Sequence, residues 1–332
     1  PGARYDEHAL LYDAIRKRKS QWKRMQEYGE GFLGRGLYPA ISAHYDHRRP
    51  LHRGETFFTT YEETENHNIM KTYCLCHLGI PLTMDKEGAC GLILTGDLPD
   101  GYTDDELKLF LSKAVVMDGE ALSALERRGL GHFAGVCRTG SAEDSVYERF
   151  NTEEEISQGL GDVYRDVRMG FFGGQAVILK SLKPEVRIIS YLDTYQGKCL
   201  GIAASLFENE LGGRVCVLGY APWRKALSLS RRIQMQRITD WLCNDSLEAK
   251  ILTNIKGALF VRSNREDTKT VVTFINTSVD PSGEIRIVLR NRNTARLLED
   301  EGRETELGVE SRIITLPDTP AFETRVVLAE KE

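Results

Sequence analysis

The residues best suited to chemistry near the start of the chain are His44, His47 and His52, set in Ser42-Ala43-His44-Tyr45-Asp46-His47-Arg48-Arg49-Pro50-Leu51-His52. Imidazoles beside a phenol and a carboxylate could hold a metal, an anion or a sugar hydroxyl. His44-x-x-His47 in a loop lacks the helical or paired-cysteine spacing of a zinc motif, and Arg48, Arg49 and Arg53 repel a cation. The expectation is therefore a polar loop at a domain junction, with a sugar or anion contact as the alternative and a metal as the least favoured reading. Trp223, after Ala221-Pro222, and Tyr191 and Tyr195 with Asp193 are aromatics near strand ends; packing of a strand-to-helix corner is the favoured reading and stacking on a sugar face the alternative.

Nucleophilic chemistry has less to stand on. All histidines lie at or before His132, so a cysteine nucleophile has no base in the later part of the chain. Gly88-Ala89-Cys90-Gly91 lacks the final glycine of a nucleophile elbow and precedes its strand. Cys74-Leu75-Cys76-His77 is one residue short of a redox pair, and on a helix its two thiols point about 200° apart. The acidic groups Asp104-Asp105, Glu153-Glu154-Glu155 and Glu299-Asp300-Glu301 are contiguous, whereas glycosidic cleavage needs two carboxyls facing each other across a bond. Gly170, Gly173, Gly174, Gly212 and Gly213 read as turn glycines and complete no phosphate cradle. No catalytic residue and no cofactor is expected.

The elements that must position these residues are legible from pattern. Residues 6–28 read as a helix with a cationic middle, stopped by Gly29 and Gly31. Leu37 to Ala43 reads as a strand, Glu65 to His77 as a helix and Ile80 to Met84 as a strand. Leu92 to Leu94 is a strand, and Thr103-x-x-Glu106 is a capping box opening a helix with Leu107, Phe110 and Leu111 inward. Ala114 to Met117 is a strand running into Asp118 as helix cap, with Ala121, Leu122 and Leu125 on the buried face and Gly129 as the left-handed stop. Strand and helix alternation of this kind predicts a parallel sheet flanked by helices.

Residues 138–170 are polar and read as an excursion from that sheet. Strands resume at Ala176–Leu179, Val186–Tyr191, Leu200–Ala204 and Arg214–Gly219. A helix from Ser228 to Cys243 follows, with Leu229, Ile233, Ile238, Trp241 and Leu242 inward. From about Ala249 the pattern has period 2 and no histidine or cysteine. Thr270–Ile275 and Glu284–Leu289 flank Asp280-Pro281-Ser282-Gly283 as a hairpin, and Arg312–Leu316 and Arg325–Leu328 add strands, which predicts a small antiparallel β-sandwich.

At 332 residues, with 41% hydrophobic and 28% charged residues, the chain is long enough for two cores. A net charge of -5 gives no electrostatic reason for nucleic acid or an anionic membrane as partner, and no apolar run approaches a bilayer span. Seven cysteines at irregular spacings predict reduced thiols and a cytoplasmic location. A start on Pro1 without a signal-peptide layout suggests a piece of something longer.

Leu78-Gly79-Ile80-Pro81, Thr95-Gly96-Asp97-Leu98-Pro99-Asp100, Asp118-Gly119-Glu120-Ala121, Glu126-Arg127-Arg128-Gly129-Leu130-Gly131 and the run Gly213 to Trp223 resemble the amidotransferase-like trimerisation domain of β-galactosidase-type glycoside hydrolases such as family 42. The resemblance covers roughly residues 30–245. It implies a flavodoxin-like, class I amidotransferase-like α/β domain over 30–248, preceded by a connecting helix over 1–29 and followed by a β-sandwich over 249–332. It further implies a homo-oligomer and a catalytic barrel preceding this region. The chain would then be a non-catalytic portion that assembles subunits and walls a carbohydrate cleft, with the His44 to His52 loop reaching toward it. An autonomous carbohydrate-binding module is the alternative from another class, and a divergent amidotransferase-like hydrolase a third.

Overall fold

The computed structural model describes residues 3–39, 75–142, 146–160, 165–166, 176–220 and 229–331. Along the chain these form α1 (Ala3–Tyr28), β1 (Leu33–Pro39), β2 (Ala89–Leu94), α2 (Asp104–Leu111), β3 (Ala114–Asp118), α3 (Gly119–Arg127), β4 (Val136–Ala142) and β5 (Val146–Phe150). Next come β6 (Arg165–Asp166), β7 (Ala176–Ser181), β8 (Arg187–Thr194), β9 (Cys199–Glu208), β10 (Arg214–Leu218) and α4 (Leu229–Leu242). The remainder is strand apart from a 3-10 turn at Asp300–Gly302: β11 (Ala249–Ile251), β12 (Gly257–Ser263), β13 (Lys269–Asn276), β14 (Ile285–Leu289), β15 (Thr294–Leu298), β16 (Glu304–Leu307), β17 (Ile313–Leu316) and β18 (Thr324–Glu330).

The chain divides into two compact units. One comprises residues 1–36, 79–88 and 247–332, the other residues 37–78 and 89–246. The helix read from sequence as a connector thus groups with the C-terminal strands.

The α/β unit is a mixed sheet in the order β2-β3-β10-β9-β8-β5-β6, with β7 pairing both β4 and β9. The β2–β3 and β3–β10 pairs are parallel and the β10–β9, β9–β8 and β8–β5 pairs antiparallel, so the parallel sheet expected from strand and helix alternation is corrected to a mixed sheet with a parallel core. The reason lies in the connections. A parallel neighbour needs a crossover of a dozen residues or more, which α2 provides between β2 and β3. The turn Asn209–Gly213 between β9 and β10 is too short for that and forces reversal. The Asn209 side chain holds this turn, accepting from Leu211 N and Gly213 N at 3.0 and 3.1 Å and donating to the carbonyls of Leu111 and Phe133.

Within the polar excursion expected at 138–170, the described strands belong to the sheet. β4 pairs with β7 and β5 with β8 inside the sheet, because the inward face of β5 carries Val146, Glu148 and Phe150, a polar residue between two apolar ones. Ile80–Met84, expected as a strand, is irregular; Cys76–Leu78, at the end of the expected helix 65–77, is a short 3-10 turn, and residues 65–74 of that helix lie outside the described residues.

Two helix termini follow from local sequence. Thr103 Oγ1 accepts from Glu106 N, while the Glu106 carboxylate accepts from Thr103 N at 2.8 Å, closing the capping box. α3 ends with Gly129 at φ 72°, Leu130 N donating to Leu125 O and Gly129 N to Glu126 O. This is the Schellman arrangement, and Leu125 and Leu130 also share the core.

The other unit is an antiparallel sandwich. One sheet runs β16-β15-β18-β13-β12, with Leu33–Arg35 of β1 added to β12, and the other runs β11-β14-β17. Leu259, Val261, Val272, Phe274, Val327 and Ala329 of the first sheet face Ile251, Ile285, Ile287, Leu289, Ile314 and Leu316 of the second. The expected hairpin around Asp280–Gly283 is corrected, since β13 and β14 lie in different sheets. Asn276 donates to the carbonyls of Asp280, Thr319 and Pro320, fixing the crossing between sheets where a tight hairpin was read. α1 covers the outer face of the larger sheet, with Met25, Tyr28 and Phe32 against Val271, Leu298, Val326 and Leu328. Gln21 donates to Leu298 O, Arg24 pairs with Glu304, and Arg18 pairs with Glu323.

Candidate functional site

In an α/β sheet ligands gather at the carboxyl ends of the parallel strands. Here these ends are Leu94, Asp118 and Leu218. The turn from β3 into α3 is a strand-to-helix turn at this end of the sheet. Asp118 occupies it. Its carboxylate is buried and accepts from Ala121 N at 2.8 Å and from Gly96 N at 3.0 and 3.1 Å. The group therefore caps α3 and ties down the segment after β2. Glu120, two residues further on, and Asp97, which follows Gly96, are exposed.

A second cluster lies on the other face of the same unit, and no sequence expectation covered it. Glu148 on β5 is fully buried and pairs with Arg231 of α4. Ser190 Oγ and Tyr220 Oη donate to Glu148 at 2.6 and 2.8 Å, and Arg231 also donates to Tyr220 Oη and Gln234 Oε1. Burial pulls the Arg231 guanidinium down while Glu148 and Tyr220 push it up by more, so it stays charged. Burial drives the phenol of Tyr220 well above its ordinary value and the thiol of Cys216 above its own. A thiol held protonated there is a poor nucleophile. A signal was present in the sequence: the period-2 alternation Val146, Glu148, Phe150 puts a carboxylate on a core face, and such a group demands a cation.

Other acidic groups are committed to ion pairs. Asp193 is buried and bound by Arg149 at 2.6 and 3.3 Å, and the Arg149 guanidinium stacks on Tyr191 with 4.9 Å to the ring centroid. Tyr195 is exposed and packs edge-on against Tyr147 at 4.0 Å. Asp104 pairs with Arg128, and Glu154 with Arg187. Cys90 is the second residue of β2, within a strand and not at a strand-to-helix turn. Its Sγ lies 3.0 Å from that of Cys243. Among the described residues no group of three His, Cys, Asp or Glu side chains could hold a metal.

His44, His47, His52 and Trp223, the candidates for a sugar or anion contact, lie outside the described residues, as do Cys74 and Gly170, Gly173 and Gly174. The inward face of α4 differs from its sequence reading. Leu229 is exposed, and Arg231, Gln234, Met235, Ile238 and Leu242 point inward, because Arg231 and Gln234 answer Glu148.

No protein-family description matches the chain, and no curated protein matches its sequence. Solved structures do. α-L-Fucosidase isoenzyme 2 from Paenibacillus thiaminolyticus superposes with a TM-score of 0.60 at 11% identity, over 97% of this chain and 51% of the fucosidase. The β-galactosidase of Rahnella sp. R3 aligns over 90% of this chain and 41% of its own at 10% identity, with a TM-score of 0.48. The chain is thus similar in fold, at low identity, to a glycoside hydrolase structure over most of its length, and it spans about half the length of that fucosidase.

Proposed function

We propose that this chain is the accessory, non-catalytic portion of a glycoside-hydrolase-like protein, serving subunit assembly and the walling of a carbohydrate cleft. The observation that carries the reading is the β3–α3 turn. Its side chain is a buried carboxylate that accepts from the backbone N–H groups of Ala121 and Gly96, a structural role at a strand-to-helix turn beside the carboxyl ends of the parallel strands. The fold likeness to about half of an α-L-fucosidase supports it further, since a region of a larger hydrolase needs no reactive centre of its own.

The role in assembly makes a homo-oligomer the expected state of the protein. Sedimentation velocity across a concentration series tests this. A species heavier than the 37.5 kDa of one chain is expected, and a single-chain mass at every concentration would count against assembly. Sugar contact is assigned to His44, His47, His52 and Trp223. Replacing the three histidines by alanine should weaken retention on immobilised galactose or fucose and leave the sedimenting mass unchanged.

A further inference from the structure

We propose that Cys90 and Cys243 form a dithiol site that closes to a reversible disulfide on exposure to a small-molecule disulfide. Cys90 stands at the start of β2 and Cys243 directly after α4, and both belong to the α/β unit. Their sulfurs are 3.0 Å apart although 153 residues separate them in the chain. Such a distance is inside the contact of two unbonded sulfurs that merely pack, and little movement brings them to bonding distance.

The two thiols differ in access, and this sets the order of events. Cys90 is half-buried and Cys243 buried. The Cys243 thiol is pushed up by its hydrogen bond to Cys90 and by burial, so it is the poorer first attacker. In the first step Cys90, losing its proton, attacks one sulfur of the small disulfide. That S–S bond breaks, a mixed disulfide forms, and one small thiol leaves with a proton. Cys243 then loses its proton and attacks Cys90 Sγ, and the second small thiol leaves protonated. Two protein thiols are oxidised and one small disulfide is reduced to two thiols, with no other reactant needed. The remaining described cysteines supply the contrast. Cys199 is exposed and Cys137 half-buried, and neither contacts another described cysteine sulfur, so each would stop at the mixed disulfide.

The closed bond ties the first strand of the parallel core to the end of the helix that carries Arg231. It would therefore raise the thermal midpoint of the α/β unit and slow proteolysis near Asn244. This amends the sequence expectation of seven reduced thiols at one pair.

The test is incubation of the whole chain in glutathione buffers of graded oxidised-to-reduced ratio, followed by acid quench, alkylation and peptide mass mapping. The expected result is a Cys90–Cys243 linked peptide whose fraction rises with the ratio, accompanied by a thermal midpoint that rises and returns on adding dithiothreitol. In Cys243→Ser the same treatment should leave Cys90 carrying glutathione. Recovery of Cys90 and Cys243 as separately alkylated or separately glutathionylated residues in the wild-type chain would overturn the proposal, whether or not the variant folds. So would one equivalent of zinc in the purified protein that blocks the oxidation and is lost from Cys243→Ser.

Discussion

Glu148 on β5 and Arg231 on α4 pair in the interior, with side chains 0% and 9% exposed, and Ser190, Tyr220 and Gln234 hydrogen-bond to the pair. Removing one member takes from the other the countercharge it has within the buried pair, which costs about 3–5 kcal/mol. Urea denaturation of Glu148→Ala and Arg231→Ala should each show a loss of that size. The double variant Glu148→Leu with Arg231→Met should lose less than the sum of the two, since both charges go together. Single losses under about 1 kcal/mol would mean that the pair is hydrated in solution.

The two helix caps differ in burial, and this separates their effects. Thr103→Ala removes an exposed capping box and should cost about 1 kcal/mol. Asp118→Ala removes a cap and also strands the buried N–H of Gly96, so about 2–4 kcal/mol is expected from the sum of a cap and an unsatisfied donor. Paired chemical denaturation curves check the order, and equal losses would contradict the structural role assigned to Asp118.

Neighbouring glycines should respond differently to the same change. At Gly213 an added Cβ would lie 1.9 Å from Leu111 O, so backbone must move, and Gly213→Ala should cost at least about 1–3 kcal/mol. Gly212 has open space but φ 80°, and Gly212→Ala should cost about 1 kcal/mol from conformation alone. Thermal melts of the two variants measure the contrast.

Local signals were read well from sequence where both partners lie within a turn or two. Thr103 with Glu106, Asp118 with Ala121, and Gly129 after Arg128 define their own helix ends, and the structure has them in place. The period-2 runs after Ala249 likewise gave strands. Pairing was less legible: Val271 and Ile287 alternate equally well, and nothing nearby says that they belong to opposite sheets. The inward face of α4 was hidden because Glu148, which Arg231 answers, is 83 residues away. Strands β4 and β5 were read as an excursion since their polar residues find partners across the sheet and not along it. The proposed sugar contacts at His44, His47, His52 and Trp223 rest on residue type alone.

Alkaline stability follows from the buried phenols. Burial, with Glu330 nearby, raises the Tyr28 phenol, and burial raises those of Tyr102 and Tyr220, in each case above the value near ~10 of an unfolded tyrosine. A folded pKa above the unfolded one means that the contribution to stability is complete below the unfolded value and is lost as pH rises through it toward the folded one. The urea midpoint should hold steady from about pH 8 to about pH 9.5 and fall above ~10. Tyrosinate absorbance should show part of the thirteen tyrosines ionising only as the chain unfolds. Full ionisation in the folded chain near ~10 would show these phenols to be open to solvent.

The claim that this chain has no reactive centre of its own is tested most directly by assaying it for hydrolysis of nitrophenyl α-fucoside and β-galactoside and of glutamine. The account predicts rates indistinguishable from buffer for all three. It also predicts no difference between the wild-type chain and variants of the exposed carboxylates beside the β3–α3 turn, Glu120→Gln and Asp97→Asn. Turnover by the wild-type chain that disappears in either variant, with the fold intact by circular dichroism, would make that turn an active site and contradict the account.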